Sequence, residues 1–112
     1  MSEMVECIER VRARISQACE RAGRSEDSVR LLAVSKKKPA EAVAAAWDAG
    51  LCSFGENRVQ EAAEKIPLSP SGANWQLIGH LQSNKAKLAA ALFDMIQSVD
   101  SIKLIEALDR HA

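Results

Sequence analysis

The sequence predicts an α/β fold in which parallel strands are joined by crossover helices. Two observations lead there. Short apolar runs begin near residues 31, 51, 75 and 95, and an interval of about 20–24 residues holds one strand, one helix and two short loops. The runs are also largely apolar on both faces, as parallel strands covered by helices are.

Each element has its own signal. Met4, Ile8, Val11, Ile15, Ala18 and Ala22 recur at steps of four and three, which predicts a helix over residues 3–22. Ser2 suits its N-cap and Gly23 the left-handed residue that ends it. LLAVS (31–35) is the first strand, and Pro39 opens a helix that runs through Val43 and Trp47 to Gly50. LCSF (51–54) is the second strand, followed by a helix with Val59, Ala62, Ala63 and Ile66 on one side. Pro67, Pro70 and Gly72 mark a loop. WQLIG (75–79) is the third strand and NKAKLAAAL (84–92) its helix. MIQSV (95–99) is the fourth, with Ser101 capping a last helix striped by Ile102, Ile105 and Leu108. No domain boundary is visible, so residues 1–112 are expected to form a single domain.

Composition narrows the function classes. The 112 residues are 47% hydrophobic, enough for one packed core, and 15 basic residues balance 15 acidic ones. Zero net charge and no basic stretch interleaved with aromatics argue against nucleic acid or an anionic membrane as partner. No apolar run approaches the roughly 20 residues that span a bilayer. Cys7, Cys19 and Cys52 are odd in number and widely spaced, which fits neither a disulfide framework nor a zinc site. They read as small buried residues in a reducing compartment. The acidic N-terminal stretch lacks the features of a secretory signal, so a cytoplasmic location is expected.

The polar residues collect at strand ends: Ser35-Lys36, Gly55-Glu56-Asn57, Gly79-His80-Leu81-Gln82 and Ser98-Val99-Asp100. In parallel α/β folds these ends open on one side, where ligands bind. They are also polar simply because loops meet water. Lys36 shares a strand face with Leu32 and Val34. If that face is a sheltered interior, the amine points into its mouth, loses hydration and is more easily deprotonated, as Schiff-base chemistry requires. Lys37 then faces outward, and Pro39 holds Lys38 extended. The competing reading of Lys36-Lys37-Lys38 is a solvated charge run. His80 lies at a strand end where it could approach a ligand, but with no partner at metal-ligand spacing it reads first as structural, while His111 is expected in solvent. No nucleophilic triad and no phosphate-cradling glycine motif is present.

LLAVSKKKP (31–39), FGENRVQEAAEKI (54–66), WQLIGHLQSNKAK (75–87) and SVDS (98–101) resemble, in order and spacing, the YggS/PROSC family of pyridoxal-phosphate homeostasis proteins. The resemblance implies a parallel (β/α) barrel of the TIM type, similar to the N-terminal barrel of alanine racemase. This chain would supply about four βα units, half of that barrel, after an N-terminal helix. It also implies pyridoxal 5′-phosphate held as a Schiff base on Lys36, with Asn57 and His80 in the stretches that line the cofactor pocket. The function implied is a carrier or regulator of vitamin B6 balance and not an enzyme. One departure is Trp75-Gln76, where the family often has Trp-His, so no histidine role carries to position 76.

The family's phosphate-binding residues lie in later strands than these. Without roughly three such contacts, affinity would fall by on the order of 5 kcal/mol, or about three to four decades. One alternative is therefore a non-binding fragment that self-associates to complete a barrel through its unpaired edge strands; the other, from the likeness to alanine racemase, is a racemase-like enzyme.

Overall fold

The computed structural model describes residues 3–111, so the Ser2 cap lies outside the described residues. Helix α1 (Glu3–Ala22) leads into four strands, β1 (Ala33–Val34), β2 (Ser53–Glu56), β3 (Asn74–Leu77) and β4 (Met95–Ile96). Helices α2 (Ala40–Asp48), α3 (Val59–Lys65) and α4 (Ala86–Leu92) connect them, and α5 (Ile102–His111) follows. The strands form one parallel sheet in chain order, with Ala33 beside Phe54, Phe54 beside Trp75, and Leu77 beside Ile96. This is the expected α/β architecture, built from consecutive βα units.

Register assigns the two faces, because paired residues in a parallel ladder point the same way. Ala33, Phe54 and Trp75 share one face, with Ser35, Glu56 and Leu77 the next row along. Phe54, Trp75 and Leu77 are buried there, and the two aromatic rings lie 5.4 Å apart. The helices cover this face with Val43 and Ala46 of α2, Val59 and Ala62 of α3, Ala86 and Ala89 of α4, and Leu104 and Ala107 of α5. Alanine at the contact points lets the helices approach closely. The opposite face carries Val34, Gly55, Gln76 and Met95. A Cβ on Gly55 would meet the side chains of Ile78 at 3.2 Å and Leu32 at 3.4 Å, so those residues lie on this second face too. A closed barrel would enclose it. Here it is open, with Val34 53% and Met95 50% exposed.

Several sequence expectations are corrected. The first and fourth strands are shorter than 31–35 and 95–99, because each sits at an edge and has a ladder partner on one side only. The second strand runs over 53–56 and not 51–54, carrying Glu56 into the sheet where an apolar criterion stops short of it. Along α1, Val11, Ala18 and Ala22 are exposed and Cys19 is the buried residue. Cys7 and Cys52 are exposed, against the expectation that all three cysteines are buried. On α5 the buried stripe is Leu104 and Ala107, while Ile102 and Ile105 face outward. No described helix is long and apolar enough to cross a membrane.

Candidate functional site

The C-terminal ends of the strands are stitched to one another. Ser98 donates its hydroxyl to the Gly79 carbonyl, joining the end of β4 to that of β3. A Cβ on Gly79 would come within 2.8 Å of the Asn57 Cα and 3.0 Å of its carbonyl carbon, so only glycine lets the loops after β3 and β2 touch. Gly79→Ala is expected to cost about 1–3 kcal/mol by overpacking against a backbone that has nowhere to go. A lower urea midpoint with an unchanged slope would show it.

A second set of links joins β2 to β1 and is buried. Glu56 is 0% and Lys65 6% exposed. The Lys65 ammonium donates to Glu56 Oε2 at 3.0 Å and Oε1 at 3.2 Å, to the Ser35 carbonyl at 2.6 Å, and to Glu61 Oε1 at 3.2 Å. The Ser35 hydroxyl donates to Glu56 Oε2. The backbone N–H of Lys37 donates to Glu61, and that hydrogen bond is the main reason the Glu61 carboxyl sits below the usual carboxylate range, with Lys65 and Arg58 adding to it. A lowered carboxylate contributes stability above its unfolded value, and that stability is lost as pH falls through the lowered one. Lys38 N–H donates to the Ser35 carbonyl at 3.1 Å, closing a turn with Lys36 and Lys37 at its centre. Lys37 takes φ 60°, the positive value ordinarily given to glycine at the third position of such a turn.

The residues singled out from sequence fall in two places. Asn57 and His80 line one open cleft of about 460 Å³ between α3 and the loop after β3, together with Arg58, Gln82 and Lys85. His80 Nδ1 lies 3.5 Å from Asp100 Oδ2, a pair exposed on both sides and worth little. Lys36 is not in that lining. It lies past the end of β1, in the turn that the Lys38 N–H and the Ser35 carbonyl close. The expectation of an amine sheltered by an apolar wall is also corrected: Lys36 is exposed, and so is Val34 two residues before it. Four strands do not enclose the face that carries Val34.

The ion-pair cluster was missed by sequence reasoning. Its signal was available. Glu56 alternates with Phe54 on a strand, and Lys65 falls at helical steps from Val59 and Ala62, so opposite charges occupy core-facing positions of adjacent elements.

Comparison with known proteins places this arrangement. A pyridoxal phosphate homeostasis protein of Escherichia coli is 44% identical over 113 aligned residues, covering 97% of this chain and 48% of that protein. The chain is homologous to the N-terminal half of the pyridoxal phosphate homeostasis family. It spans about half the length of the curated relatives it matches. Among solved structures, PipY of Synechococcus elongatus with pyridoxal phosphate bound is 46% identical with a TM-score of 0.72, over 87% of this chain and 47% of that one. An unknown protein from Bifidobacterium adolescentis has a TM-score of 0.82 at 36% identity, over 96% of this chain and 49% of that one. The half-barrel reading of the sheet agrees with this coverage. No protein-family profile matches the chain.

Proposed function

We propose that the chain binds pyridoxal 5′-phosphate through Lys36 and serves intracellular vitamin B6 balance as a carrier, not as an enzyme. The observation that carries this reading is an exposed primary amine at the C-terminal end of β1, in a chain homologous to proteins named for pyridoxal phosphate homeostasis. The residues present suit the group. Lys36, Lys37 and Lys38 place three cations at one strand end for an anionic ligand, while Asn57 lines the separate cleft with His80.

When bound, the cofactor supplies an aldehyde and an electron-withdrawing ring. The Lys36 Nζ attacks the aldehyde carbon, a carbon–nitrogen double bond forms, and the carbonyl oxygen leaves as water. Borohydride then delivers hydride to that carbon and makes the link permanent. Intact mass before and after reduction, with peptide mapping, is expected to locate one adduct at Lys36. A folded, cofactor-saturated chain with no label there would sink the reading. Racemase-like turnover is set aside because the relatives this chain matches are named for pyridoxal phosphate homeostasis. Exchange of an amino acid's α-hydrogen with solvent, above that given by free cofactor, would restore it.

A second reading, self-association, has its own support in the open sheet face, with Val34 and Met95 exposed on its two half-paired edge strands. Two copies meeting there would bury both. Met95→Lys would place a charge in that contact and is expected to weaken dimerisation at least about tenfold in sedimentation velocity. A wild-type chain that stays monomeric at all concentrations would remove this reading.

A further inference from the structure

We infer that Glu56, Lys65 and Glu61 form a backbone clamp that positions Lys36 for capture of the aldehyde, an inference that rests on the binding reading above. The clamp acts on the residues flanking Lys36. On one side, the Ser35 N–H donates to the Gly55 carbonyl at 2.9 Å, its carbonyl receives Lys65 at 2.6 Å, and its hydroxyl reaches Glu56. On the other, the Lys37 N–H is taken by Glu61, which Lys65 holds in turn at 3.2 Å. One ammonium thus ties together the strand that ends before Lys36, the neighbouring strand and the first turn of α3.

The physical need is specific. Lys36 sits in a turn whose next residue has φ 60°, a conformation an L-residue other than glycine avoids. Released, Lys37 would relax towards negative φ and the peptide unit after Lys36 would rotate. Rotation would loosen the turn that carries Lys36 and let its amine sample the same exposed orientations as those of Lys37 and Lys38. A charged acceptor on the Lys37 N–H opposes this, since a charge-assisted hydrogen bond is about twice as strong as a neutral one. Glu56 and Lys65 are too buried to touch a ligand, and Glu61, although it borders the cleft with Asn57, spends its carboxylate on the Lys37 N–H and on Lys65. All three are positioning residues. They do not react.

The test uses Glu61→Ala, because Glu61 is half-buried and its loss should spare the core that Glu56 and Lys65 support. Circular dichroism is expected to show an intact fold. In the chain without cofactor, amide exchange at Lys37 is expected to quicken by about tenfold to a hundredfold, the change for one lost charge-assisted hydrogen bond. With pyridoxal 5′-phosphate and borohydride, the ratio of label on Lys36 to label on Lys37 and Lys38 is expected to fall about tenfold, equivalent to one decade in relative population. Glu61→Gln, whose amide oxygen can still accept from Lys37, should recover most of that selectivity.

Unchanged exchange and unchanged selectivity would overturn the clamp. So would faster exchange with selectivity intact, which would mean that the backbone is held but the amine is not aimed. No label on Lys36 in the wild type would remove the binding reading itself and the clamp's purpose with it, even if Lys37 exchange responds.

Discussion

Lys36→Ala is expected to abolish the specific borohydride-stable adduct with pyridoxal 5′-phosphate while leaving the fold in place. The two halves of this expectation come from different facts. Lys36 is exposed, and its side chain contributes no described hydrogen bond or ion pair, so truncation removes little. Exposed substitutions of this kind usually shift stability by no more than about 0.5 kcal/mol. The covalent link has no substitute at that position. Lys37 and Lys38 are exposed amines two and one residues before Pro39, but neither occupies the position just after Ser35, where the turn at the end of β1 begins. Label should fall at least about tenfold, with the remainder spread over the other exposed lysines as ordinary amine chemistry. Retention of most of the label in the variant would mean that another amine holds the aldehyde.

The parts of the molecule legible in the sequence are those governed by apolar periodicity. Strand order, parallel connection and the positions of α2 to α4 follow from short apolar runs alternating with helical stripes. Phase was harder to read at the two terminal helices. On α5 the choice lay between Ile102 with Ile105 and Leu104 with Ala107, and where α5 packs on α4 it is Leu104 and Ala107 that are buried. The sequence also could not show that Lys36 is unsheltered, since shelter depends on strands beyond the four present. Glu56 marks a different limit. A carboxylate in a run of Phe, Gly and Asn looks like the start of a loop, and its neutralising partner lies nine residues away on the next helix.

That buried pair makes Lys65→Met the most damaging single change expected in the core. Methionine fills nearly the same space as the lysine stem, so the loss is one of charge and hydrogen bonds, not of packing. Glu56, with no exposed surface, would keep only the Ser35 hydroxyl, and the Ser35 carbonyl would lose its 2.6 Å donor. Leaving a buried charge without its partner costs about 3–5 kcal/mol. A domain of this size holds about 5–15 kcal/mol in all, so a chain with an open sheet face could unfold outright. Because an unfolded variant measures nothing further, the decisive comparison is Glu56→Leu combined with Lys65→Met. Removing both charges erases the desolvation cost together with the attraction, and the double variant is expected to recover most of the urea midpoint lost by Lys65→Met alone. Recovery of stability without recovery of Lys36 labelling selectivity would then separate the two roles of the cluster. It would show that the ion pair is dispensable for holding β1, β2 and α3 together but is needed to aim the amine between them. If Lys65→Met alone lost less than about 1 kcal/mol, the cluster would be too weakly coupled to the fold to hold the Ser35 and Lys37 peptides in place.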